Sequence, residues 1–206
     1  MLNRLQTIPY ELELRDTLDA ALYHFEQLSG AAGEALVAQD AARLSAPLGQ
    51  AVLSGQANAQ RLVFDHLDAF LGAFARVSLL VFPVSSTDFA KGRAATMQTC
   101  LQLSETSLLA DRELRGSWTH HDERLDFAVE TGTGASGQIF TRSTEAAASK
   151  LDTFLRVVEL DTLVVRYRAR KGEFRSANLR KVYEELLALN DRRVAAFDQL
   201  PMPDVV

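Results

Sequence analysis

The chain has 206 residues, 47% of them hydrophobic and 24% charged, which is enough to bury one full core and excludes a disordered or fibrous class. A net charge of −5 excludes a molecule that is basic throughout, and a single cysteine, Cys100, excludes an internal disulfide and suits a reducing cytoplasm. The N-terminus lacks a signal-peptide core. The longest apolar run, Val77 to Val84, is interrupted by Ser78 and Pro83 and falls far short of the roughly 20 residues that span a bilayer, so no membrane association and a cytoplasmic location are expected.

Along the chain, Leu12, Leu14, Leu18, Ala21, Leu22, Phe25 and Leu28 recur at spacings of two to four and predict a first helix, for which Gly30 and Gly33 are natural stops. A weaker alanine-rich run covers residues 34–53, with Pro47 and Gly49 arguing against one unbroken helix. Leu62, Phe64, Leu67, Phe70, Leu71, Phe74 and Val77 predict a helix over 57–81, closed by Pro83. Ser85-Ser86-Thr87-Asp88 is an N-cap cluster for a helix over about 89–104, in which Cys100 reads as a small core residue. A further helix over about 107–130 ends in the glycine-rich tract 131–137, which lacks the lysine of a phosphate-binding loop and reads as a linker.

Beyond Gly137 the pattern changes. Residues 138–141 suit a short strand, while 154–160 and 162–168 are β-branched and alternating, which predicts a hairpin. A last helix is expected over about 176–197. The fold class expected is mainly α: an up-and-down four- to five-helix bundle formed by about 10–131 and 176–198. A small β-hairpin, about 137–170, is inserted before the last helix, and the whole chain 1–206 forms a single domain.

The helix over 107–130 concentrates the chemistry. It carries Arg115, Trp118, His120, His121 and Arg124, and so half of the four histidines. Histidine beside fixed cations suits proton transfer or phosphate chemistry. Leu114, Trp118, His121 and Leu125 fall on one stripe, which reads as core or interface; His120 and Arg124 form an i,i+4 pair on another face. Arg115 and His120 are separated by about 140° and roughly 7.5 Å of helix rise, so they border a groove rather than share a face; across a two-fold axis, Arg115 of one copy can meet His120 of another. His24 reads as a satisfied boundary histidine, and His66, between Asp65 and Asp68, as part of an exposed face. His120, His121, Asp122 and Asp126 do not make a metal cluster: adjacent histidines point about 100° apart, and no second histidine-rich helix completes a site. No metal or other cofactor is therefore expected.

Arg115-Gly116-Ser117-Trp118-Thr119-His120 resembles the R-x4-H motif of HEPN domains, helical bundles that carry it late in the bundle. The resemblance extends over about 13 residues, through His121-Asp122-Glu123-Arg124-Leu125-Asp126. Gly116 stands where that family usually has a polar residue, often asparagine. It removes an orienting hydrogen bond and costs a helix about 1 kcal/mol relative to alanine. The resemblance implies metal-independent RNA cleavage in a homodimer, with paired motifs forming one site. His120 would then be the general acid or base, and Arg115 the group stabilising charge at phosphorus, with Arg124 auxiliary. Versions of this family that bind RNA or protein partners without cleavage are equally implied.

A basic stretch follows. Between Arg166 and Lys181, seven cations face Glu173 alone, a local charge of +6 in an acidic chain. Arg166, Arg168, Arg170, Lys171 and Arg175 are the candidates for holding a phosphate backbone. The alternative is a solvated edge-strand face whose charges discourage sheet-to-sheet association. Three functions remain open: ribonuclease, RNA- or nucleotide-binding module, and structural or interaction bundle.

Overall fold

The structure, a computed structural model, describes residues 2–44, 50–119, 126, 130, 138–148, 154–169, 173–197 and 200. It is mainly helical with one small sheet. No helix among the described residues is long and apolar enough to cross a membrane.

Helix α1 (Arg4–Leu44) and α2 (Gln50–Val81) form the long central pair. At about 1.5 Å per residue, α1 is roughly 60 Å long. The pair is antiparallel: Phe25 of α1 meets Phe70 of α2, with ring centroids 5.3 Å apart, while the earlier Glu13 lies by the later Leu79 and Leu80. The expectation that α1 stops at Gly30 or Gly33 is overturned. The apolar period continues through Leu28, Ala31, Ala32 and Ala35, all buried, and that packing outweighs the roughly 1 kcal/mol each mid-helix glycine costs. Pro47 and Gly49 lie outside the described residues, but α1 and α2 end and begin on either side of them.

Helix α3 (Asp88–Cys100) starts where its cap predicts: Thr87 is extended, and its hydroxyl accepts from the Ala90 amide at 3.3 Å. It ends four residues before the expected Ser104, because Leu101 closes back on the Met97 carbonyl and Gln102 takes a left-handed φ of 52°. The expected helix over 107–130 begins instead as a 3₁₀ turn (Leu108–Ala110), and α4 proper is Arg112–Thr119. Asp111 separates the two; its carboxylate accepts from the amides of Glu113 and Leu114, the role of an N-cap. Asp126 and Glu130 are also helical.

The expected lone hairpin is part of a four-stranded sheet, β1-β2-β3-β4. Strand β1 (Gln138–Thr141) runs parallel to β2 (Arg156–Glu159), and the short helix α5 (Ser143–Ala148) lies between them in the chain. Strands β2 and β3 (Val164–Arg168) form the hairpin, turned by Leu163 at φ 51°. Strand β4 (Phe174–Asn178) pairs antiparallel with β3 and takes up the residues expected to begin the last helix. Helix α6 (Leu179–Ala196) therefore starts three residues late. Asn178 is both the last strand residue and the N-cap, accepting from the Lys181 amide at 3.1 Å.

Val158, Val165 and Tyr167 project from one sheet face into the same hydrophobic cluster as Leu18, Phe70 and Phe74 of the long helices and Leu186 and Phe197 at the C-terminal end. Arg156 pairs with Tyr167 across the strands and so shares that inward face; Arg166 and Arg168 project from the other.

Candidate functional site around helix α4

Arg115 lies inside the molecule. It is 5% exposed, and one guanidinium nitrogen donates to the Ser78 hydroxyl at 3.0 Å and to the Phe82 carbonyl at 2.9 Å. Ser78 in turn donates to the Leu109 carbonyl at 2.5 Å. One arginine thus joins the C-terminal end of α2, the 3₁₀ turn and α4. This placement follows from local sequence: Leu114 and Arg115 are adjacent on α4, both are buried, and the polar neighbour needs acceptors at the helix end it enters. Burial, then the neighbouring Arg112, lower the Arg115 guanidinium below its ordinary pKa, and Asp111 opposes them.

One turn further along α4, the Trp118 indole nitrogen donates to Asp68 Oδ1 at 2.7 Å. The same oxygen receives Arg156 at 2.6 Å, and the Arg156 guanidinium lies 4.2 Å from the Trp118 ring centroid. Helices α2 and α4 and strand β2 meet at this junction. The Arg156 side chain is 6% exposed, against 48% for Asp68, so a buried cation meets a half-exposed anion. Burial lowers the Arg156 pKa, with the Asp68 charge and hydrogen bond raising it in opposition. Sequence reasoning missed this junction, although it carried one signal: Arg156 is in phase with Val158 on the inward side of the strand, where a charge requires an acceptor.

The expected stripe of Leu114 and Trp118 packs on the core, Leu114 fully and Trp118 in part. The other expected members of this segment, His120, His121, Arg124 and Leu125, lie outside the described residues.

The basic stretch is not one open face. Arg166 is paired with Glu159, whose side chain is only 5% exposed, at 2.5–2.6 Å. Arg168 is buried with its guanidinium 5.1 Å from the Phe174 ring, and Arg175 lies 3.6 Å from Glu173. Arg175 also sits on the opposite sheet face from Arg166 and Arg168, because it pairs with Tyr167. Arg170 and Lys171 are outside the described residues.

A second meeting of helices was not anticipated. His24 of α1 and His66 of α2, read separately from the sequence, bring their Nδ1 atoms within 3.3 Å. Burial, and then His66, lower the His24 pKa. The signal missed here is pairing across the helix interface, which spacing within either helix does not contain. Cys100 is partly buried, and burial raises its thiol pKa, so it is not set up as a thiolate nucleophile.

Two surface cavities of about 390 Å³ each flank these elements. One lies between Thr99, Cys100, Asp191 and Arg192; the other lies between the segment after α2 and the start of α4, with Lys91 and Arg112 on its walls. Compared with protein-family models, curated proteins and solved structures, the chain matches none.

Proposed function

We propose that the chain is a single-domain, HEPN-like four- to five-helix bundle that acts by binding a protein partner, with Arg115 serving the fold rather than a reacting phosphate. The observation that carries this reading is the burial of Arg115 on Ser78 and Phe82. A guanidinium nitrogen held by an internal carbonyl and hydroxyl already has its donors engaged within the fold. Gly116 points the same way, since it lacks the side chain that would orient a substrate. Protein is favoured over RNA as the partner because Arg166 and Arg175 already face Glu159 and Glu173.

The R-x4-H spacing itself favours a second reading, metal-independent endoribonuclease action by a homodimer. In it, His120 transfers the proton of the ribose 2′-hydroxyl or of the leaving oxygen, Arg115 and Arg124 stabilise charge at phosphorus, and the two copies complete one site. Purified protein incubated with mixed RNA in EDTA separates the two. The binding reading expects no cleavage above a His120→Ala control. Cleavage abolished by His120→Ala overturns it in favour of the nuclease. Arg115→Ala is the poorer probe of catalysis, because it is expected to lower stability by about 2–3 kcal/mol in urea unfolding by leaving buried acceptors without their donor.

A further inference from the structure

The His24–His66 pair has a geometry that neither the sequence pattern nor the reading of α4 uses. Its two Nδ1 atoms face each other at 3.3 Å, with ring centroids 5.6 Å apart and ring planes inclined by 37°. Both rings are half-buried at the α1–α2 interface, so solvent reaches them. At 3.3 Å the two nitrogens stand at the long end of a hydrogen bond, one that needs a proton on Nδ1 of one ring and a lone pair on the other. Two imidazole nitrogens bound tetrahedrally at about 2.05 Å are separated by about 3.3 Å, the edge of a zinc site.

We propose that His24 and His66 form a two-histidine site for a divalent first-row transition ion of the zinc type, clamping α1 to α2. Both histidines would hold their proton on Nε2 and present the Nδ1 lone pair to the ion. The rings turn from sharing a hydrogen bond to facing the ion, which closes the centroids by about 0.4 Å. Among the described residues, no group of three or more His, Cys, Asp or Glu side chains is placed to hold an ion, so water completes the coordination and the site is labile. Imidazole pairs suit zinc, copper and nickel, whereas magnesium and calcium require oxygen donors.

Thermal unfolding in zinc chloride against EDTA, together with equilibrium dialysis, tests the proposal. With zinc about a hundredfold above its dissociation constant, Tm should rise by roughly 5 °C. His24→Ala and His66→Ala should each abolish the rise and lose one bound zinc per chain, while magnesium should have no effect on the unaltered protein. The double variant His120→Ala/His121→Ala should keep the rise, which separates this site from the histidines of the R-x4-H segment. Should either alanine variant unfold in EDTA, glutamine at the same position takes its place. No zinc-dependent rise, or a rise that survives substitution of His24 and of His66, overturns the proposal.

Discussion

At Asp68 one carboxylate oxygen receives two donors, the Trp118 indole and the Arg156 guanidinium. The two ends of the ion pair are not equivalent, because Arg156 is buried and Asp68 is half in water. Asp68→Ala takes the carboxylate from a buried cation and is expected to cost about 1–3 kcal/mol, reduced from a fully buried pair by the exposure of Asp68. Arg156→Met removes the buried charge together with its need for a partner and should cost less. Urea midpoints that rank the two in the opposite order would show that Arg156 contributes mainly by stacking on Trp118. A pH effect also belongs at this scale. His24 has a folded pKa below its ordinary value, so its neutral form is favoured by folding. Its stabilising contribution is complete above the ordinary histidine value and is lost as pH falls through the lowered folded value. Urea unfolding at neutral and mildly acidic pH should therefore show a decline that is smaller in His24→Gln.

At the scale of elements, α1 persists through two glycines because a buried stripe continues past them. Gly30 and Gly33 are both exposed, and a Cβ built at either meets no atom within 4 Å. Alanine at each position should stabilise the protein by about 0.5–1 kcal/mol, chiefly by narrowing the unfolded ensemble, and raise Tm by roughly 1–4 °C. A fall in Tm would mean that close packing needs the bare backbone there. The beginning of α4 follows a different logic. Ser107 caps the 3₁₀ turn, Asp111 caps the helix, and Glu185 from α6 accepts from both the Ser107 hydroxyl and the Leu108 amide. One irregular connection is thereby held by side chains from three places in the chain, which is why it does not continue as a single helix.

At the scale of the whole molecule, the sheet closes the helical core and also divides the basic stretch. Arg166 and Arg168 go to one face and Arg175 to the other, and Arg166 and Arg175 each have an acidic partner. A cationic groove that follows a nucleic-acid backbone would show affinity falling steeply with salt, in proportion to the phosphates neutralised. Retention of mixed RNA should accordingly be weak at low salt and vary little as salt rises. A steep slope, lost on charge reversal at Arg175, would instead favour the RNA-binding module.

The mainly helical class, α2 with its stop before Pro83, the Thr87 cap and the β2–β3 hairpin were all legible in the chain, because hydrophobic period, cap chemistry and strand alternation are local properties. The ends of α1 and α3 and the start of α6 were not. They depend on whether a glycine is carried by a buried stripe, whether Gln102 turns left-handed, and whether Ser176–Asn178 find a strand to pair with. The R-x4-H segment was visible as a pattern, and its resemblance to HEPN motifs rests on that pattern alone. Where the Arg115 side chain goes was a question of tertiary structure, since its acceptors, Ser78 and Phe82, lie more than 30 positions away. The same holds for Asp68 with Arg156 and for His24 with His66. Sequence determined which polar groups the helices and strands carry; only packing decided which of them are buried, because a buried donor is stable solely where another element supplies its acceptor.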